Sequence, residues 1–157
     1  MMTNIQAELE RLLKQEQDLQ FTTFTNETAF EIGTRIIQKA QQEQKAIAVT
    51  IVRNGELLFH TKMNGTTADN DLWIKRKQGV VHHFGHSSYY MHVKFKAEGG
   101  SVEGACLDPK QYAAEGGSFP LLIKNVGVVG TISASGLPGD QDHQIIASVL
   151  EEYLGAQ

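Results

Sequence analysis

A chain of 157 residues, 41% hydrophobic and 20% charged, is long enough to bury a core of its own, so neither disorder nor a disulfide scaffold is expected. A net charge of −4 excludes a strongly basic nucleic-acid footprint, and a single cysteine, Cys106, excludes an intrachain disulfide. No apolar run approaches the ~20 residues of a membrane span, and the acidic opening segment does not read as a signal peptide. The expectation is one α+β domain over residues 1–157, soluble and cytoplasmic, with no nucleic-acid or membrane partner.

In chain order, Ile5, Leu9, Leu12 and Leu13 recur at helical spacing, which predicts an amphipathic helix over residues 1–18. Asn26 is a good N-cap for a second helix that carries Phe30, Ile32, Ile36, Ile37 and Ala40 and runs to about Gln44. Two β-rich runs follow, Ala46–Val52 and Leu57–His60, with Asn54-Gly55 between them. That dipeptide predicts a hairpin, because a type I′ turn needs positive φ at both central residues. An early antiparallel hairpin argues against a doubly wound parallel fold.

Asp69-Asn70-Asp71 opens a third helix with acids at the positive end of its dipole. Trp73, Val80 and Phe84 share one face, Lys77 interrupts that stripe, and Gly79 marks a close contact or a kink. Gly85 offers a C-cap, and Ser87 or Ser88 an N-cap. The segment Tyr89–Lys96 alternates like a strand, yet the serine caps favour helix, and helix is the reading adopted. Val102–Cys106 suggests a short strand. Asp108-Pro109 predicts a short helix carrying Gln111 to Ala114.

The stretch from Ala113 to Leu154 is the most informative. Gly116-Gly117 precedes a strand from Phe119 to Lys124, and a second strand runs from Val126 to Ser135. Gly136, Pro138 and Gly139 break it. Asp140 and Asp142 open a final helix with a broad apolar face, Ile145 to Leu154.

Several groups of residues invite a functional reading, each beside a plainer one. Trp73, Arg76 and Lys77 share a helix face: an indole beside two cations suits a planar anion, or the cations merely cover apolar surface with their stems. Gly116, Gly117, Phe119 and Pro120 would let a backbone approach a ligand, or satisfy a turn. Ser133, Ser135 and Gly136 face the start of the last helix, where N–H groups favour an anion. The glycine spacing there matches no nucleotide-binding fingerprint. Asp142 and His143 are adjacent and so form no dyad by themselves. His82, His83 and His86 lack the intervening Glu of a zinc-protease motif, so no metal site is expected. Cys106 has no base near it in sequence and reads as a packing thiol.

Three blocks, DNDLWIKRKQGVVHHFGHSS (Asp69–Ser88), YAAEGGSFPLLI (Tyr112–Ile123) and GVVGTISASGLPGDQDH (Gly127–His143), resemble the UPF0303 family. That family is related to the haem-degrading-domain group, which includes GlcG-like and HbpS-like proteins and the C-terminal domain of PduO-type proteins. The resemblance implies a five-stranded antiparallel sheet with helices on its faces, of PAS- or profilin-like kind, and a homo-oligomer of at least two copies. The wider group implies haem or another tetrapyrrole as a possible cofactor. It adds weight to the Trp73–Arg76–Lys77 face, which would form one wall of a pocket against the Gly-rich unit.

The candidate ligand-binding set is therefore Trp73, Arg76, Lys77, Ser87, Gly116, Gly117, Phe119, Pro120, Ser133, Ser135, Gly136, Asp142 and His143. No catalytic residue is assigned. The expected function is binding of a planar or anionic small molecule. The alternatives are a structural or adaptor homo-oligomer, and an enzyme acting on haem or a small organic acid.

Overall fold

The computed structural model describes residues 3–157. Its elements are α1 (Asn4–Asp18), α2 (Asn26–Gln42), β1 (Ala48–Arg53), β2 (Glu56–Lys62), α3 (Ala68–Phe84), α4 (Ser88–Glu98), β3 (Ser118–Ile123), β4 (Gly127–Ser135) and α5 (Gly139–Gly155). The fold class is α+β, as expected. The four strands form an antiparallel sheet in the order β2-β1-β4-β3.

The hairpin between β1 and β2 turns at Asn54 and Gly55, whose φ angles are 51° and 80°. Both are positive, as a type I′ turn requires. Thr25 and Thr67 cap α2 and α3, each one to two residues before the expected start. In each case a threonine hydroxyl and the third helical side chain close a reciprocal capping box. The segment from Tyr89 is helical. The Ser87 hydroxyl accepts the Tyr90 N–H at 3.0 Å, and Gly99 ends the helix in the left-handed region.

The resemblance implied five strands, and four form among the described residues. At the outer edge of β3 the place of a fifth strand is taken by one residue. The Phe21 N–H donates to Leu122 O and the Lys124 N–H donates to Phe21 O, both at 2.8 Å. Val102–Cys106 makes turns rather than a strand: the Ser101 hydroxyl accepts the Gly104 N–H, and Val102 O accepts from Ala105 and Leu107. Gln111–Ala114 is not helical either. Asp108 caps one turn, but the Ala113 N–H then donates to Arg76 O on α3, so the helix cannot propagate.

Strand alternation sends two different sets of side chains to the two faces of the sheet. Val49, Ile51, Phe119, Leu121, Ile132 and Ala134 point to one face and are fully buried against Ile32 and Ile36 of α2 and Ile146 and Leu150 of α5. Thr50, Ser118, Thr131, Ser133 and Ser135 lie on the other face, also buried, where α3 and α4 cover them. A second apolar cluster joins α1, α3 and α4 through Leu12, Val80, Tyr90, Met91 and Val93.

Candidate functional site

The helix α3 organises the candidate site because its faces meet three different surroundings. Asp69, Leu72, Trp73, Arg76 and Gly79 recur at helical spacing along one flank, and they line a groove of about 820 Å³. The facing wall is the segment Pro109–Tyr112. Gly79 permits this approach: a methyl group there would come within 2.9 Å of Gln111 O and 3.0 Å of the Tyr112 ring. The guanidinium of Arg76 lies 4.6 Å from the Trp73 ring centroid. Its Nε and Nη2 groups both donate to Pro109 O, at 3.1 and 2.8 Å. Arg76 is thus stacked and pinned, with three of its five N–H donors still open. Lys75, Lys110 and His82 complete the polar rim.

Lys77 points elsewhere. It is 2% exposed, and its ammonium donates to Gly116 O at 3.1 Å, Ala134 O at 2.6 Å and Asp142 Oδ2 at 3.4 Å. Three acceptors match its three protons, so it latches α3 to the sheet and to α5. Burial lowers its pKa from the ordinary lysine value, and the Asp142 charge opposes that fall. Burial likewise pushes Asp142 up to about 6, against the pull of Lys77 and of the Leu137 N–H, which Asp142 Oδ1 accepts at 3.0 Å. Gly117 is a glycine because a methyl group there would collide with the Lys77 ammonium and with Ala134 O.

A smaller cavity of about 260 Å³ lies between α3 and the Gly-rich unit, lined by Lys77, Gly116, Ser135, Gly136 and Asp142 among others. Trp73 and Asp69 line both it and the larger groove. This is where the sequence places a pocket. Its walls are mostly backbone and the engaged Lys77–Asp142 pair, and the roomier space lies on the other side of Trp73.

The remaining candidates line neither cavity. Ser87 caps α4, and its N–H donates to Glu16 Oε2 at 3.3 Å. Phe119 and Pro120 are buried in β3. The Ser133 hydroxyl pairs with that of Ser118 at 2.9 Å. His143 is buried between Tyr89 and Phe119. Its Nε2 lies 2.7 Å from Gln15 Oε1, an acceptor, so Nε2 carries the proton and the buried Nδ1 is unpartnered. Burial lowers its pKa to about 4, helped by the charge of Arg11.

Sequence reasoning missed Leu72, Gly79 and Tyr112 as groove residues. The first two lie on the Trp73–Arg76 stripe and were legible by helical spacing. The wall at Pro109–Tyr112 carried no such signal. Of the three clustered histidines, His82 reaches the groove and His86 Nδ1 pairs with Glu16 Oε1 at 2.9 Å. Among the described residues, no group of three or more His, Cys, Asp or Glu side chains gathers as a metal site would require.

The family model described as "Haem degrading protein HbpS-like" matches residues 24–151. The chain belongs to the HbpS-like family. This HbpS-like chain is 42% identical over 150 residues to a UPF0303 protein of Streptomyces coelicolor, covering 95% of this chain and 93% of that one. Among solved structures it is similar to the Ybr137w protein, with a TM-score of 0.86, 33% identity and coverage of 94% and 88%. It shares its fold with the PduOC:heme complex, with a TM-score of 0.68 at 18% identity and coverage of 82% and 93%. No helix among the described residues is long and apolar enough to cross a membrane.

Proposed function

We propose that the chain binds a planar, carboxylate-bearing small molecule in the groove between α3 and the Pro109–Tyr112 segment. The observation that carries this is the Trp73–Arg76 stack. It offers a flat apolar surface beside a cation whose remaining donors are unused, in a groove of about 820 Å³. That volume falls in the range of small-molecule sites, ~300–1,000 Å³. Leu72 and Tyr112 add apolar area, and Lys75 and Lys110 add positive charge at the rim.

A tetrapyrrole is the first ligand to test, because a relative of this fold is seen as a heme complex and the family description names haem. The residues fit such a group. Trp73 and Tyr112 would stack on the macrocycle, Arg76, Lys75 and Lys110 would take its carboxylates, and His82 is the imidazole at the groove. Bound iron would supply redox chemistry. What these residues supply is orientation and charge pairing.

Trp73 is the sole tryptophan, so its fluorescence reports on this groove and on the smaller cavity that shares the ring. Titration with haem, with metal-free protoporphyrin and with a small aromatic carboxylate is expected to give saturable quenching by at least one of them. Arg76→Gln is expected to weaken that binding about tenfold or more, the worth of a charge-assisted hydrogen bond. Quenching by none of the three, or equal affinity in Arg76→Gln, would sink the reading.

A further inference from the structure

A third cavity, of about 380 Å³, opens where α3 crosses β1 and β2. Thr50 and His60 are paired across these strands, and Thr50 Oγ1 lies 2.9 Å from His60 Nδ1. His60 Nε2 lies 3.5 Å from Asp71 Oδ1 on α3. Asp71 is fixed through its other oxygen, which accepts from Lys62 Nζ at 2.6 Å. Lys62 is itself held by Thr67 O at 2.9 Å. Asp71 Oδ1 is buried and accepts no hydrogen bond.

A carboxylate oxygen only accepts, so the tautomer that suits Asp71 is the one with the proton on Nε2. In the neutral imidazole Nδ1 is then the lone pair, and the Thr50 hydroxyl donates to it. Ser133, which stands opposite Thr50 on β4, does not compete for that hydroxyl because it pairs with Ser118. In that tautomer a hydroxyl donates to an imidazole that faces a carboxylate, the order of a nucleophile, a base and an orienting acid. The separation of 3.5 Å is loose, as such contacts often are without substrate.

We propose that Thr50, His60 and Asp71 form an acyl-transfer site for esters of small apolar acids, in a cavity that adjoins the Trp73 groove through Lys75 and Gln78. Thr50 and His60 are the catalytic residues, and Asp71 is a positioning residue. Val52, Leu57 and Ile74 line the cavity with apolar surface for the acyl group. Lys75 and Gln78 line it too, and supply donors for a developing oxyanion; one amide proton of Gln78 is used on Thr131 Oγ1, leaving the second.

The chemistry balances without an added oxidant or metal. Thr50 Oγ1 bonds to the ester carbonyl carbon while its proton passes to His60 Nδ1. The C–O bond to the leaving group breaks, and the leaving oxygen takes that proton. Water then attacks the acyl-threonine, giving its proton to His60, which returns it to Thr50 as the acid departs. The sum is ester plus water to acid plus alcohol.

The test uses the full chain with p-nitrophenyl acetate. Release of p-nitrophenol and peptide mapping by mass spectrometry are expected to show one acetyl group on Thr50. Thr50→Val, nearly isosteric, is expected to lose that adduct and at least 90% of turnover while unfolding at the wild-type denaturant midpoint; Thr50→Ser is expected to retain both. Asp71→Asn is expected to lower kcat by 100-fold or more at little change in KM. The same variant should also lose the single Nε2–H tautomer of His60 in ¹⁵N NMR. Acetylation confined to lysines, wild-type turnover in Thr50→Val, or an unchanged tautomer in Asp71→Asn would overturn the proposal.

Discussion

The two faces of the sheet bury their side chains almost equally, yet by different physics. Toward α2 and α5 the strands present Val49, Ile51, Phe119, Leu121, Ile132 and Ala134, all fully buried, and any well-shaped apolar neighbour satisfies them. Toward α3 and α4 they present Thr50, Ser118, Thr131, Ser133 and Ser135, each needing a particular partner. The Lys77 latch sits on this second side, with Gln78 on Thr131, Asn70 on Ser135 and Ser88 on Ser118. An apolar face is held by area, whereas a polar face is held by matching. Two of the cavities that α3 lines border the matched side, one at Ser135 and one at Thr50, where small polar side chains leave space that aliphatic ones would fill.

The largest test of this contrast is Lys77→Met. It leaves the Asp142 carboxylate buried without its cation and is expected to cost about 3–5 kcal/mol in urea unfolding. Adding Asp142→Leu should return at least about 1 kcal/mol of that loss. On the other face, Ile132→Ala is expected to cost about 2–5 kcal/mol, and adding Leu121→Ala should deepen the loss rather than reverse it. Rescue on the apolar side, or its absence on the polar side, would break the comparison.

A pH series sharpens it further. Asp142 holds its proton up to about 6 when folded, against 3.8 as the reference value, so between those values the folded state binds more protons and stability falls as pH rises. His143 releases its proton at about 4 when folded, against 6.5, so in nearly the same window the unfolded state binds more and stability rises with pH. The two opposing effects are each roughly 2–3 kcal/mol, so the wild type is expected to be nearly flat from pH 4 to 6 with respect to them. Asp142→Asn exposes the rising limb and His143→Gln the falling one, both read from denaturant midpoints at each pH. Equal slopes in the two variants would contradict the assignment. The smallest effect is Ser133→Ala, expected to cost about 1 kcal/mol by leaving the Ser118 hydroxyl unpaired, with Ser118→Ala added to it close to neutral.

The contrast also explains what the sequence could tell. Elements set by local rules were legible: the Asn54-Gly55 turn, the serine-capped α4, and the apolar face of α5. Lys77 stood out as a charge within an apolar stripe, but its acceptors lie on Gly116, Ala134 and Asp142, 39 to 65 residues away. No spacing rule connects them. The helix expected at Gln111 failed for the same reason, since α3 captures the backbone groups it needed. Trp73 and Arg76 were found on their own helix, while the wall that faces them was not.

The helix α1 carries one more implication, for how the chain is made. Its Leu12 packs with Val80, Tyr90, Met91 and Val93, and its Gln15 accepts from His143, 128 residues later. On a ribosome adding ~5–20 residues each second, that partner arrives roughly ten seconds after Gln15 does. The stripe of Ile5, Leu9, Leu12 and Leu13 waits less long, because its apolar partners lie on α3 and α4 and the segment after them. Docking of the α1 stripe is therefore expected to precede its polar tie to α5 during synthesis.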